Sequence, residues 1–175
     1  MIIYFVHSSS EDNELGLRSG WRDPPLSSVG RQQARQLRAT LGDQSFDAVF
    51  SSDLTRALET ARIVFPNSDV RTDERLREMN YGDLNGSPAN AFPDEHGYIE
   101  KRFPKGENCL DVQARVQSFL NSEVSLNATL AIVSHKYPQL ALDVICNALS
   151  WREALERDWR NLGTWQPGWR YRVSS

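Results

Sequence analysis

Short apolar runs alternate with amphipathic stretches along this chain, which is the pattern of strands separated by helices. Residues 2–6 (IIYFV) and 129–135 (TLAIVSH) are nearly continuous apolar runs, typical of strands buried on both faces of a sheet. Residues 46–52 (FDAVFSS) and 69–72 predict two further strands. The alternation favours an α/β fold with a mainly parallel sheet, whose functional residues follow the carboxyl ends of the strands.

Helices are predicted where apolar residues recur at every third or fourth position behind a residue that can cap a first turn. The first helix covers about 28–42 and ends at Gly42, and Pro66 ends the second helix. The last helix, over about 139–149, is apolar on most sides and is expected to be buried. The residues expected to cap or begin the four helices are Ser27, Ser52 or Asp53, Asn108 and Pro138.

A long irregular segment at about 73–107 carries three prolines and four glycines. Loops of this length inside a compact domain are usually functional or disordered, so we expect this insert to cover a site. The tail at 163–173 (GTWQPGWRYRV) alternates weakly and predicts an edge strand. The whole chain, 1–175, is expected to form a single domain with this loop-rich insert.

The composition excludes several functional classes. With 175 residues, a net charge of −3 and no basic run, the chain gives no reason to expect a nucleic-acid partner. Its apolar runs are far shorter than the ~20 residues of a membrane span, and its N-terminus lacks the features of a signal peptide. Cys109 and Cys146 lie far apart, which disfavours a disulfide framework or zinc site. A cytoplasmic protein is the expectation.

Two histidines occupy equivalent positions at the ends of predicted strands. His7 follows IIYFV and His135 follows AIVS, so both would leave the same edge of a parallel sheet and meet in one crevice. A single histidine in such a position is more often structural than catalytic, but two together favour a reactive site. His96, in the insert, is interpreted as a surface histidine.

An arginine and a glutamate are the other candidates. Arg56 lies in the first turn after a strand, where its guanidinium can face the strand ends; the alternative is a surface ion pair with Asp53 or Glu59. Glu78 lies in a glycine-punctuated stretch, where a carboxyl beside the histidines could serve as a general acid. The alternative for Glu78 is a solvated side chain.

Taken together, these segments resemble the histidine phosphatase superfamily, the phosphoglycerate mutase-like proteins. Five segments over about 1–145 occur in the family's order. They are the histidine at position 7 with Asn13, Gly16, Gly20, Asp23, Pro25, Leu26 and Gly30 behind it, SSDLTRALETA (51–61), LREMNYGDLNG (76–86), GEN…D…R (106–115) and AIVSHKYP (131–138). The resemblance implies a three-layer α/β sandwich with helices on both faces of the sheet.

The resemblance also assigns roles. His7 would accept the phosphoryl group as a covalent phosphohistidine, while Arg56 and His135 offset the charge on its oxygens. Glu78 would protonate the leaving oxygen and later activate water, and Asn13 would add a donor to the pocket. The chemistry implied requires neither a metal nor a cofactor, and its substrate would be a small phosphorylated or anionic molecule.

The first motif departs from the family pattern. The family has Arg-His-Gly, whereas this chain has Val6, His7 and Ser8, and its loop has leucine at 17 where an arginine is common. An arginine aimed at a transferred phosphoryl group is worth about 10³–10⁵ in rate, so Val6 predicts weak activity unless another cation substitutes. Lys136, which stands where the family commonly has glycine, is the first candidate and Arg18 the second. The serine at position 8 would add a weaker, neutral donor.

Two hypotheses follow for the function. The chain is either a metal-independent phosphatase of reduced or altered activity, or an impaired family member that binds an anionic ligand or a protein without turnover. Retention of His7, Arg56, Glu78 and His135 favours the first hypothesis, and loss of the arginine at position 6 favours the second. A substrate with less negative charge would also suit such a pocket. The sequence makes no prediction about the oligomeric state.

Overall fold

The computed structural model describes residues 1–92, 94–125 and 127–173. The strands are β1 (Ile2–Val6), β2 (Leu17–Arg18), β3 (Ala48–Ser51), β4 (Val70–Thr72), β5 (Ser87–Pro88), β6 (Leu130–Ser134) and β7 (Trp169–Tyr171). The α-helices are α1 (Glu11–Glu14), α2 (Ser28–Leu41), α3 (Thr55–Val64), α4 (Cys109–Glu123), α5 (Lys136–Asn147), α6 (Trp151–Glu156) and α7 (Trp159–Leu162). None of these helices is long and apolar enough to cross a membrane.

The main sheet has the strand order β4-β3-β6-β1-β7. Neighbours among β4, β3, β6 and β1 pair in parallel, and β7 joins the edge of β1 in the antiparallel sense. The prediction of a mainly parallel sheet is therefore confirmed, as is the edge strand in the tail. Because β1 and β6 are neighbours, the residues that follow them leave the sheet side by side.

Alternate residues of the central strands face opposite layers of helices. On one face, Ile2 and Tyr4 pack with buried residues of α4, α5 and α6. On the other face, Ile3 and Phe5 pack with buried residues of α2 and α3. A period of two along strands buried on both faces explains why these sequences read as continuous apolar runs. The three-layer sandwich is confirmed.

Two of the predicted helix caps are confirmed and one is wrong. The side chain of Ser27 accepts from the amide of Gly30 at the start of α2, and Asn108 caps α4. The cap of α3 is neither Ser52 nor Asp53, because the helix begins at Thr55. Its first amide donates instead to the carboxylate of Asp23, 2.6 Å away and remote in sequence. A local pattern cannot reveal a cap of this kind.

Helix α5 begins at Lys136, two residues before the predicted start at Pro138. The proline still lies in the first turn, where its missing N–H costs nothing. The amides of Lys136 and Tyr137 donate to the carboxylate of Glu78, which the sequence pattern did not connect with this helix. Helices α6 and α7 were not predicted, because each is too short to show a helical period.

The insert packs onto the domain through aromatic side chains. Within its described residues, it forms short 3₁₀ turns and the strand β5, which pairs with β2. Phe92 and Phe103 are buried and contact the ring of Tyr81, and the ring of Tyr98 stacks on Phe103 at 3.7 Å. These rings join the same core cluster as Tyr137 of α5. The insert is therefore anchored to the helical layer beside the end of β6.

The first turn of α2 lies directly against the loop that follows β1. The amide of Ser27 donates to the carbonyl of Ser9 at 3.0 Å, and a Cβ on Gly30 would lie 1.9 Å from the same carbonyl oxygen. The absence of a side chain at Gly30 thus allows the close packing that holds this loop.

We predict that Gly30→Ala lowers the free energy of unfolding by about 2–3 kcal/mol, because the added methyl group must displace the backbone of Ser9. Urea denaturation measures the loss. Gly16→Ala is the control: its φ of +68° is unfavourable for alanine, but no atom lies within 4 Å of the new Cβ, so we expect a cost of about 1 kcal/mol. Equal losses in the two variants would contradict the packing argument.

Candidate active site

A cavity of about 870 Å³ opens at the carboxyl ends of β1 and β6. Most of the residues predicted from the sequence line it: His7, Ser8, Asn13, Arg18, Arg56, Glu78 and Lys136. His135 lies against His7, with 4.9 Å between the ring centroids. The structure therefore brings together side chains from four of the five segments on which the sequence argument relied.

The imidazole of His7 is held in a defined tautomer. Its Nδ1 lies 2.7 Å from the carbonyl oxygen of Ser8, which can only accept, so Nδ1 carries the proton. Its Nε2 carries the lone pair of the ring and accepts from the Nε–H of Arg56 at 3.3 Å. Burial, followed by the charge of Arg56, lowers the pKa of His7 to about 3. The ring is therefore neutral and nucleophilic at physiological pH.

His135 is fully buried beside it. The hydroxyl of Tyr4 donates to the backbone carbonyl of His135 at 2.7 Å and accepts from its amide at 3.0 Å, which fixes the start of α5 against β1. Burial and the charge of Arg56 lower the pKa of this ring as well. Within the described chain, neither ring nitrogen has a hydrogen-bond partner. Both remain available to a group that enters the crevice.

Arg56 is 2% exposed and faces the strand ends. Its terminal nitrogens donate to the carbonyls of Arg22 and Gly20 at 3.0 and 2.9 Å, so the loop after β2 wraps around the guanidinium. The alternative of a surface ion pair is wrong for this residue, because Asp53 pairs with Arg77 and Glu59 pairs with Arg31. The arginine instead places a fixed positive charge beside His7.

Glu78 is 8% exposed and caps α5 from outside the helix. Its carboxylate accepts from the amides of Met79 at 2.9 Å, Tyr137 at 3.1 Å and Lys136 at 3.2 Å. Two of these amides belong to the first turn of α5, where the N–H groups have no partner within the helix. The solvated alternative is thus wrong, and the carboxyl group reaches the cavity wall.

A second arginine holds the backbone that carries Glu78. Arg115 of α4 donates to the carbonyls of Arg77 and Glu78 at 2.6 and 3.0 Å. Glu107 pairs with Arg115 and accepts from the amide of Asn80. These contacts give the 106–115 motif a physical role, which is to fix the glutamate segment against the helical layer.

Asn13 and Ser8 lie in the cavity wall, but their described hydrogen bonds are structural. The Oδ1 of Asn13 accepts from the amide and hydroxyl of Ser10, which forms a capping box at α1. The amide of Ser8 donates to the hydroxyl of Thr60 at 3.1 Å. These contacts order the loop beside His7.

Both predicted substitutes for the missing arginine turn inward, and both form ion pairs with the insert. The Nζ of Lys136 lies 2.7 Å from Glu95 and 3.2 Å from Asp158. Arg18 also pairs with Glu95, and its guanidinium lies 4.8 Å above the ring of Phe92. The two cations lower the pKa of Glu95, which is otherwise raised by burial. Glu95 therefore offsets much of the positive charge that Lys136 and Arg18 bring to the cavity.

Three charged residues near the cavity were not found from the sequence: Glu95, Asp158 and Arg160. Arg160 lies in α7, in the C-terminal part of the chain, and Asp158 caps this helix. Asp158 precedes a turn of only four residues, and no periodicity marks this helix as part of the site. In the described part of the chain, no three His, Cys, Asp or Glu side chains are grouped as metal ligands would be.

The fold and cavity together define an α/β protein with paired histidines at the ends of neighbouring parallel strands. The model of the histidine phosphatase superfamily (branch 1) matches residues 3–164. The chain therefore belongs to the histidine phosphatase superfamily.

Known members resemble the chain along most of its length. A 2,3-bisphosphoglycerate-dependent phosphoglycerate mutase of Azorhizobium caulinodans is 35% identical over 140 residues, 71% of this chain and 68% of the mutase. Phosphoserine phosphatase 1 of Hydrogenobacter thermophilus is 30% identical over 154 residues, 81% of this chain and 73% of that protein. The structure of the alpha-ribazole phosphatase from Shigella flexneri superposes with a TM-score of 0.77 at 27% identity, covering 89% of this chain and 83% of that one.

We predict that the paired histidines make the protein less stable as the pH falls from 6.5 to 5. The pKa values of His7 and His135 are lowered in the native state, so the unfolded chain binds protons that the native chain does not. Well below pH 6.5, each histidine then lowers the free energy of unfolding by about 1.4 kcal/mol for each unit by which the pH falls. Urea denaturation of the wild type and of the double variant His7→Asn, His135→Asn measures the difference in slope.

The double variant should show the shallower slope below pH 6.5. Between pH 7.5 and 9 both histidines are neutral in both states, so the two curves should run parallel there. Parallel curves over the whole range would contradict the burial of neutral imidazoles.

We further predict that Glu95→Gln increases the affinity for orthophosphate by about tenfold. The change releases Lys136 and Arg18 from their shared carboxylate, and one charge-assisted hydrogen bond to an anion is worth about 1.5–3 kcal/mol. Isothermal titration calorimetry measures the binding. Glu100→Gln, an equal charge change at an exposed position of the same insert, should leave the affinity unchanged. Weaker binding by Glu95→Gln would show that the carboxylate positions the cations rather than competing with the anion.

Proposed function

We propose that the protein is a metal-independent phosphatase that hydrolyses a small phosphoester through a phosphohistidine on His7. The observation that carries the proposal is the state of His7: a neutral ring whose Nδ1 proton is fixed on Ser8 and whose Nε2 lies against Arg56 in the cavity. This is the arrangement that a nucleophilic imidazole requires.

In the first step, the Nε2 lone pair of His7 gives up its hydrogen bond with the Nε–H of Arg56 and attacks phosphorus as the bond from phosphorus to the ester oxygen breaks. Arg56 and His135 donate to the non-bridging oxygens and offset their charge, which is the main task of a phosphoryl-transfer site. The carboxyl group of Glu78 gives its proton to the departing oxygen, so the alcohol leaves uncharged.

In the second step, Glu78 is a carboxylate and takes a proton from water as that water attacks the phosphohistidine. The bond from Nε2 to phosphorus breaks, orthophosphate forms, and His7 returns to its neutral state. The three backbone N–H groups around Glu78 hold the carboxylate for this role as base. Throughout both steps, Nδ1 of His7 keeps its proton and donates it to the carbonyl oxygen of Ser8.

The second candidate function is anion binding without turnover. It is favoured by Val6, which lines the cavity where the family carries an arginine, and by Glu95, which pairs with Lys136 and Arg18. We prefer hydrolysis, because the nucleophile and the candidate acid are retained with the contacts that orient them. A hydrolase needs only water in the second step, whereas a mutase must retain its substrate between two transfers.

We predict that the purified protein, with chelator present, hydrolyses p-nitrophenyl phosphate or a member of a panel of phosphoserine, phosphoglycerates and sugar phosphates. His7→Ala should abolish this activity, because it removes the proposed acceptor of the phosphoryl group. His96→Ala, in the insert, should leave the activity unchanged. Quenching during turnover in alkaline detergent should trap phosphate on the wild type and on His96→Ala but not on His7→Ala, and acid should release it.

The variant Val6→Arg distinguishes the two candidate functions. It should raise kcat/KM, because a guanidinium at this position restores a donor to the phosphoryl oxygens. A wild type without activity, together with an active Val6→Arg variant, would identify a disabled phosphatase that binds anions. Activity that survives His7→Ala would refute the phosphohistidine mechanism.

A further inference from the structure

Helix α7 places an arginine in the wall of the cavity. Arg160 lies there with Val6, His7 and Arg56, although it is remote from all three in sequence. Its guanidinium stacks over the ring of Trp159, 4.3 Å from the ring centroid. Nothing in the family pattern recognised from the sequence includes this residue, because that pattern ends near position 145.

One side of the Arg160 guanidinium is fixed and the other is free to bind an anion. Its Nη1 donates to Oδ1 of Asp158 at 2.8 Å, and its amide donates to the same oxygen at 3.1 Å. Its Nη2 is buried and, within the described residues, has no hydrogen-bond partner. A buried guanidinium nitrogen without an acceptor is costly, and an oxyanion in the cavity would satisfy it.

The charge of Arg160 reaches the two histidines. It contributes to the lowered pKa of His7, together with burial and Arg56, and it contributes to the lowered pKa of His135. Arg56 and Arg160 are thus the two guanidinium groups whose field acts on the nucleophile.

Lys136 is the most strongly neutralised cation of the cavity, and Arg18 and Arg160 each share one carboxylate with it. Glu95 accepts from both Lys136 and Arg18, and Lys136 lies near Asp158 as well. The carboxylate of Asp158 is shared between Lys136 and Arg160, so it orients Arg160 without taking up its second nitrogen. Arg160 is the cation best placed to make up for Val6, because it lies in the wall with Val6 and His7 and its Nη2 has no acceptor among the described residues.

We propose that Arg160 is a phosphate-binding residue that takes the place of the arginine missing at position 6. Its Nη2 donates to a non-bridging oxygen of the phosphoryl group as that group bonds to Nε2 of His7. Asp158 is the positioning residue that holds the guanidinium on Trp159. This inference rests on the proposed function, and it makes the C-terminal helix α7 part of the phosphoryl pocket.

The test compares Arg160→Gln with Arg157→Gln, an equal loss of charge at an exposed position three residues away. We expect kcat/KM of Arg160→Gln to fall at least 100-fold and its dissociation constant for orthophosphate to rise at least tenfold. Arg157→Gln should match the wild type in both. Arg160→Lys keeps the charge near Asp158 but loses the forked donor, so its rate should be intermediate.

A structural role for Arg160 is separated from phosphate binding by moving the arginine. Val6→Arg should raise kcat/KM of Arg160→Gln by at least tenfold more than it raises that of the wild type, because both arginines serve the same oxygens. If Arg160→Gln acted only by detaching the C-terminal helix α7, an arginine on β1 would not restore the activity. Equal gains in the two backgrounds would overturn the proposal.

The outcomes also separate this inference from the proposed function. If Arg160→Gln retains wild-type turnover and phosphate affinity while His7→Ala is inactive, the inference fails and the phosphatase stands. If the wild type is inactive on every substrate, calorimetry with orthophosphate still tests the inference. Tighter binding by the wild type than by Arg160→Gln would support a phosphate-binding role for Arg160, and equal binding would overturn it. If Arg160→Gln does not fold, the comparison is made with Arg160→Lys, where wild-type kinetics would overturn the proposal.

Discussion

The parallel pairing of β1 with β6 is the constraint on which the site depends. The register sets Val6 opposite Ser134, and the amide of His7 continues the ladder by donating to the carbonyl of Ser134 at 2.9 Å. The next residue of each strand is a histidine, so the two rings leave the sheet in contact. The hydroxyl of Tyr4 then fixes the chain as it turns from β6 into α5. The spacing of the histidines is thus set by backbone hydrogen bonds of the most buried part of the sheet.

This dependence explains what could be predicted from the sequence. Buried strands and histidines at their ends are local signals, and parallel pairing brings such ends together, so His7 and His135 could be placed without coordinates. The cap of α3 by Asp23 and the contact of Glu78 with α5 could not be derived from local patterns, because each joins segments far apart in the chain. The position of Arg160 could not either, since a helix of four residues has no period and is placed by its ion pairs.

Burial and the positive charges around the cavity keep the nucleophile neutral. Burial and neighbouring guanidinium groups disfavour the protonated forms of both histidines, which keeps Nε2 of His7 available. The same positive field would attract a phosphate. Glu95 and Asp158 moderate it by pairing with Lys136, and burial strengthens these pairs relative to surface ones. The cavity therefore combines a strong local field with a small net charge.

If Arg160 does the work of the family's arginine at position 6, as proposed, the chemistry depends on different parts of the chain. An arginine on β1 would be held by the sheet itself, whereas Arg160 is held by Asp158 in a short helix near the end of the chain. Lys136 connects that helix to the insert, because it pairs with both Asp158 and Glu95. Docking of the insert and of α7 is therefore coupled through one lysine at the start of α5. If Arg160 serves the phosphoryl group as proposed, the charge that stabilises this group depends on the same contacts.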